Sequence, residues 1–271
     1  MRVVTLITDF GLQDGHVGAM KGVIRSLAPQ AELVDISHEI RAQDIRHAGF
    51  VLKTAYSYWP ADTIHVIVVD PGVGTERRAV AVETGAGTFV APDNGVLSDV
   101  LAQEEARRVV ALTNAAYWHH PVSASFHGRD IFGPAAAHLA NGVPLQELGE
   151  SVEPASLITW ALPSPHRHLD GHMTIHVLHV DRFGNCTTDL PAEWLQAAPQ
   201  WRIEVPGAAE DAGSATIHGI ARTFGDVPEG APLALVDSTD YLAIAVRNGN
   251  AAQAMGLRIG APIEIWPIAN E

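Results

Sequence analysis

A chain of 271 residues, 47% of them hydrophobic, is long enough for one large soluble domain or two ordinary ones. Seventeen basic against thirty-one acidic residues give a net charge of −14, which opposes binding to DNA or RNA and leaves a cationic small molecule the easier partner. The single cysteine, Cys186, excludes an intrachain disulfide and a cysteine-based metal centre, and no apolar stretch approaches the ~20 residues of a membrane span.

The chain opens on VVTLIT (3–8), a β-branched run that predicts a strand, followed by helical spacing over 14–30 that stops at Pro29. The alternation continues. ELVDIS (32–37) reads as a strand, 41–59 as a helix, TIHVIVVD (63–70) as a strand, TFVAPD (88–93) as a strand with a helix over 95–103, and 129–142 as a further helix. Such alternation predicts an α/β domain with a largely parallel central sheet over 1–162. Prolines and histidines gather in WALPSPHRHLDGH, where 163–172 is expected to be a linker. Beyond it come HMTIHVLHVD, WRIEVPG, SATIHGI, PLALVDS, YLAIAVRNG and APIEIWPI, short runs bounded by turn residues, with a single helix-like stretch at 191–199. They predict a smaller all-β, barrel-like domain over 173–271. With no signal segment or membrane span in view, a cytoplasmic location is expected.

Ligands of parallel α/β sheets bind outside the carboxyl ends of the strands, and aspartates collect there. Asp9 and Asp14 follow the first strand, Asp70 ends the run HVIVVD, Asp93 follows another, and Asp181 ends HVLHVD in the second domain. Singly, each is also a good turn or capping residue. After Asp70 the chain turns through Pro71, Gly72 and Gly74 and reaches Arg77. His127 lies in the small-residue loop SASFHGRD, where it can serve as a base, a hydrogen-bonding post or a surface group; Asp130 stands near the expected N-cap of the next helix. His119, His120, His166 and His168 occur in less pointed settings and are read as structural or solvated. Carboxylates and imidazole are normal metal ligands, but no pair has the close helical spacing of a strong site, so no metal and no cofactor are expected. Dinucleotide, P-loop, nucleophile-elbow and zincin motifs are missing from the sequence.

ITDFGLQDGHVGAMKG, VVDPGVGTERRAV, APDNGVLS, FHGRDIFGPAAAHLA, DRFGNCTT, RTFGDVPEG and YLAIAVRNGNAA, in that order across nearly the whole chain, together resemble the S-adenosyl-L-methionine hydroxide adenosyltransferases. These are adenosine-forming S-adenosyl-L-methionine hydrolases related to the bacterial fluorinase and chlorinase. The resemblance implies attack of water, formally hydroxide, on the ribose 5′ carbon, giving adenosine and L-methionine. It also implies a homotrimer with sites between subunits, and no membrane or nucleic-acid partner. Asp70, Arg77 and His127 fall on the family's catalytic trio, which holds and polarises the water. Asp9 matches a ribose-binding position, and Asp14 and Asp181 match positions near the methionine ammonium. Phe183 and Phe224 match adenine-stacking positions, Asn185 and Val246 adenine-binding ones, and Ser238 a contact to the amino-acid end; Phe126 and Tyr241 complete the substrate-binding set. Gln43 stands where the halogenases carry a tryptophan beside the ribose. A sulfonium leaves as a neutral thioether, so the reaction needs a positioned nucleophile rather than a general acid or a metal. The resembling fluorinase motif has tyrosine in place of Asp70, because a carboxylate would repel a halide. Two other functions remain open at this point: a non-catalytic sensor of adenosine or S-adenosyl-L-methionine, and a halogenase.

Overall fold

The computed structural model describes residues 2–205 and 215–268. The chain divides into two compact units, split after Leu162.

In the first unit, seven strands form one sheet: β1 (Val3–Thr8), β2 (Glu32–Ser37), β3 (Ile64–Val68), β4 (Ala79–Glu83), β5 (Thr88–Pro92), β6 (Arg108–Ala111) and the short β7 (Glu150–Ser151). Their order is β2-β1-β3-β5-β4-β6-β7. The pairs β1–β2, β1–β3 and β3–β5 are parallel, whereas β4 and β7 run against their neighbours. The sheet is therefore parallel-rich, with an antiparallel flank. Every residue of β3 is buried, as a strand covered on both faces requires.

Side-chain alternation sorts these residues into two cores. Val4, Leu6, Ile64, Val66 and Val68 pack on one face beneath the helices α1 (His16–Leu27) and α4 (Gly133–Ala140), where Met20, Ile24 and Ala136 meet them. Ile7, Ile67 and Val69 pack on the other with Ala48 and Leu52 of α2 (Ile45–Lys53) and Val100 of α3 (Ser98–Leu101). The connection through α1 carries the chain to one side of β1, and the connection through α2 carries it to the other. That reversal opens a crevice above the carboxyl ends of β1 and β3, the usual binding place in such sheets.

Several helices are shorter than their sequence spacing predicts. The stretch 41–59 yields α2 and a separate 3₁₀ turn at Tyr56–Tyr58. Asp44 caps α2 through the His47 N–H, and Gln43 takes a left-handed φ of 63° just before it. Residues 95–103 contribute only the single turn of α3.

The second unit is an antiparallel sheet of β8 (His166–Arg167), β9 (Met173–Val180), β10 (Cys186–Pro191), β11 (Gln200–Val205), β12 (Ala215–His218), β13 (Pro232–Val236), β14 (Tyr241–Val246) and β15 (Pro262–Ile268). The order is β12-β11-β15-β9-β10-β14-β13, with β8 pairing β9. Just beyond β12 the chain meets β13 through the bridge Ala221–Leu235, so the sheet nearly closes on itself. Inward residues such as Ile175, Cys186, Ile203, Ile244 and Ile265 fill the interior. Residues 192–197 form a 3₁₀ turn, and a single-turn helix α5 (Ala251–Ala254) follows β14. The ends of two predicted runs, 206–207 and 214, lie outside the described residues.

Candidate active site

Asp9 directly follows β1 and Asp70 lies two residues beyond β3. Because Thr8 is in register with Val68 across the parallel pair, the two carboxylates come to the same edge of the sheet. A cavity of about 230 Å³ opens there, with Asp9, Phe10, Asp70, Ser125, Phe126 and His127 in its wall.

The turn after Asp70 returns Arg77 to it. The Val73 N–H bonds back to the Asp70 carbonyl at 3.1 Å, and the Thr75 N–H to the Gly72 carbonyl at 3.1 Å. Gly74 has φ +76°, and a Cβ there would stand 2.3 Å from the Ala124 carbonyl oxygen. Glycine thus supplies both the left-handed backbone and the clearance that lets this turn touch the loop carrying His127.

Arg77 Nε donates to Asp70 Oδ1 at 2.9 Å and to Oδ2 at 3.0 Å, and its Nη2 also bonds Oδ2. The same Nη2 lies 2.8 Å from His127 Nδ1. Guanidinium can only donate, so Nδ1 accepts and the imidazole proton sits on Nε2. The Asp70 and Arg77 side chains are 5% and 10% exposed, which removes most solvent screening from the pair. Burial, reinforced by the Arg77 charge, holds His127 below the ordinary imidazole range, against the opposite pull of Asp70 and Asp130. His127 is therefore neutral near pH 7.

The His127 loop is braced from below. Asp130 is fully buried and accepts the Ser123 N–H at 2.8 Å and the Arg129 guanidinium at 2.7 and 2.9 Å. Arg129 in turn lies over the Phe126 ring, 5.0 Å from its centroid. Burial pushes the Asp130 pKa up, but the hydrogen bonds from Arg129 and the Ser123 N–H, together with the neighbouring positive charge, outweigh it and lower the pKa. Asp130 is therefore a loop brace rather than the N-cap its position suggested. Residues Gly128–Phe132 form a π-helical turn leading into α4, a local widening that often accompanies functional sites. Phe126 meets both Phe10 and His16 edge to face beside the cavity, with ring centroids 5.7 and 5.2 Å away.

Asp9 accepts the Gln43 N–H at 2.7 Å, which fixes the carboxylate at the rim. Asp14 is exposed ahead of α1 and is not part of the cavity wall. Asp93 is structural, with its buried carboxylate taken by Arg78 and the Ile158 N–H. Phe10 and Ser125 went unnoticed in the sequence, although both adjoin residues that were singled out.

The remaining candidates belong to the second unit. Asp181 Oδ1 accepts the backbone N–H groups of Phe183 and Asn185, and Oδ2 accepts the Asn185 side-chain amide, each at 2.8 Å. Gly184 lies so close to Asn250 that a Cβ would stand 2.1 Å from its side chain, which joins this loop to the segment after Val246. Arg247 bonds the carbonyls of Gly225 and Val227, bringing the Phe224 turn to the same end of the barrel. The Phe183 ring is 73% exposed and Phe224 is 42% exposed, so neither belongs to the barrel core, whereas Val246 does. Ser238 and Tyr241 lie in and just after the β13–β14 turn, at the far end of β14 from Val246, roughly 17 Å away along the strand. Asp237, beside Ser238, accepts the Thr187 hydroxyl and the Thr239 N–H, fixing that turn.

Comparison with known proteins gives a consistent result. Residues 4–149 match the SAM hydroxide adenosyltransferase N-terminal domain and residues 175–264 the corresponding C-terminal domain. The chain is 41% identical over 264 residues to the (R)-S-adenosyl-L-methionine hydrolase of Salinispora tropica, covering 97% of each. A fluorinase of an Actinoplanes species is more distant, 24% identical over 294 residues. Among solved structures, an uncharacterized conserved protein from Thermotoga maritima superposes with a TM-score of 0.87 at 35% identity, over 97% of this chain and 99% of that one.

Proposed function

The chain belongs to the SAM hydroxide adenosyltransferase family, and from that premise we propose that it hydrolyses S-adenosyl-L-methionine to adenosine and L-methionine. The observation that carries the reading is the Asp70–Arg77–His127 constellation at the cavity between the ends of β1 and β3. Water attacks the ribose 5′ carbon in line with the departing thioether. The bond to sulfur breaks as the new carbon–oxygen bond forms, and the water's proton must be taken up.

Asp70 is the acceptor suited to that proton, since a carboxylate offers lone pairs beyond those engaged by Arg77. Arg77 remains charged and stabilises hydroxide character as it develops. The His127 lone pair is directed at Arg77, so its Nε2–H acts as a post that orients the oxygen rather than as the base. Aligning water with the sulfonium contributes several kcal/mol, roughly, through proximity alone. A halogenase reading fares worse, because the Asp70 carboxylate faces the place an anion would occupy.

Substrate recognition is divided. Asp9 and Phe126 serve the ribose side of the first unit's cavity. Phe183 and Phe224 supply adenine stacking, Asn185 and Val246 adenine hydrogen bonds, and Asp14, Asp181, Ser238 and Tyr241 the methionine end. A homotrimer would complete each site with a neighbour's second unit, and the exposed Phe183 and Phe224 rings suit that arrangement. Light scattering on the purified protein would give three times the chain mass. No helix among the described residues is long and apolar enough to cross a membrane, consistent with a cytoplasmic enzyme.

The test is incubation of the purified protein with S-adenosyl-L-methionine in halide-free buffer containing chelator, followed by chromatography of the nucleosides. Adenosine above the Asp70→Ala background supports the reading. Saturable binding with unchanged substrate would replace it with a sensor role.

A further inference from the structure

The histidine-rich stretch HRHLDGH, expected to lie in a linker with His166 and His168 structural or solvated, folds into an organised cluster on the second unit. β8 and β9 pair around it: the His168 N–H bonds the His172 carbonyl at 2.9 Å, and His166 stands opposite Thr174. Thr174 is in register with Glu264 on β15, and Glu264 with Glu204 on β11. One ligand atom from each of His168, His172 and Glu264 lies within 4.8 Å of the others, all three residues being half-buried.

We propose that these three side chains form a binding site for a divalent transition-metal ion of the zinc type, which clips the β8–β9 hairpin to β15. Two imidazoles and a carboxylate are the donor set that such ions select over magnesium or calcium. Asp170 Oδ1 lies 2.5 Å from His172 Nδ1. A carboxylate there holds the Nδ1 proton and leaves the Nε2 lone pair for a cation, the outer-sphere arrangement that accompanies metal-bound histidines. That Nε2 faces Glu264 Oε2 at 3.6 Å. A lone pair and a carboxylate repel unless a cation stands between them or His172 carries a second proton.

The neighbouring charges add to the need for a cation. Glu264 and Glu204 stand directly across from each other, an unfavourable like-charge pairing. Arg202 reaches Glu204 at 3.4 Å while lying over the Trp266 ring. Glu264 takes the Thr174 hydroxyl at 2.9 Å and otherwise faces His172.

Loading the site requires one movement. The His168 and His172 rings are stacked, 3.9 Å apart and 5° from parallel, and in-plane lone pairs of parallel rings do not converge. His172 is sandwiched further by Trp266 at 5.4 Å and held by Asp170. His168 must therefore turn, giving up its 2.9 Å bond to the Thr174 hydroxyl. Water or His166, whose ring is 4.6 Å from that of His168, fills the remaining coordination position. None of these residues belongs to the proposed substrate site, so the inference stands apart from the hydrolase reading.

The full chain, stripped with chelator and dialysed, is titrated with Zn²⁺ by calorimetry, and with Co²⁺ while visible absorption is recorded. Wild type should take up one equivalent that is lost, or weakened at least tenfold, in both His172→Ala and Glu264→Gln, and Asp170→Asn should weaken it about tenfold. Zn²⁺ should raise the melting temperature of wild type and not of those two variants, whose folding is verified by circular dichroism. Equal uptake by wild type and variants overturns the proposal. So does the absence of Zn²⁺ uptake by wild type, including the case in which stability instead follows protonation of His172.

Discussion

On the proposed reading, the two units prepare for the same substrate in opposite ways. In the first, Asp70, Arg77 and His127 are tied to one another by hydrogen bonds, and Asp130 braces the loop from within the core. In the second, Asp181 shapes a loop whose aromatic ring stands out in solvent, and Phe224 is presented at the same barrel end. Under the proposed function, that difference would separate reaction from recognition. Groups that must stabilise charge as it develops are worth most when their orientation is fixed and screening is low, whereas stacking rings gain most from surface they cover only on binding.

The sharpest break of this comparison is Arg77→Ala. It should lower kcat about 100-fold or more, as loss of one oriented donor does, with KM changed only a few-fold. Because it leaves the buried Asp70 carboxylate unpaired, at a stability cost of about 3 kcal/mol, urea unfolding must accompany the kinetics. Arg77→Lys keeps the charge without the two-pronged contact and should recover part of the rate. Asp130→Asn, which touches no reacting atom, should lower kcat by roughly tenfold because the His127 loop loses its brace. An effect confined to stability would make Asp130 purely structural.

Phe183→Ala and Phe224→Ala should behave the other way, each weakening substrate binding by roughly tenfold, within the ~1–3 kcal/mol typical of base stacking, with kcat held within a few-fold. A fall in kcat matching that of Arg77→Ala would erase the division between the units. The smallest effect near neutrality is that of pH. His127 accepts from Arg77 only when neutral, and its pKa is depressed by burial and by the Arg77 charge. Activity should therefore be complete above the ordinary imidazole value of about 6.5 and fall as pH drops through a midpoint below it. Asp70→Asn removes the carboxylate whose charge pulls in the opposite direction, so any residual activity should show a still lower midpoint.

The Asp70–Arg77 pair was legible because its pieces are local, whereas its joining with His127 was implied by the family resemblance. The run HVIVVD ends on a carboxylate, two glycines follow, and Arg77 appears at the distance a tight turn allows. The need for Gly74 is visible in the sequence as turn chemistry, but its second cause, contact with the Ala124 carbonyl, depends on a loop fifty residues away. Strand direction was less accessible. AVAVE carries the same apolar pattern whether β4 runs with or against β5, so the antiparallel flank left no trace in periodicity. The π-helical turn at Gly128–Phe132 was likewise hidden, since its side chains suit an ordinary helix, and Asp130 looked like a cap for that reason. His168 and His172 fell in a stretch read as a linker, because their neighbour Glu264 arrives only through the β9–β15 register.

The most direct test of the division of labour is one paired measurement in ¹⁸O-labelled water: single-turnover formation of adenosine, with equilibrium binding of S-adenosyl-L-methionine by calorimetry, for wild type and Arg77→Ala. The account predicts label in the adenosine 5′ oxygen, and an Arg77→Ala protein that binds within a few-fold of wild type while turning over at least 100-fold more slowly. Unlabelled product, or equal losses of binding and turnover, would contradict it.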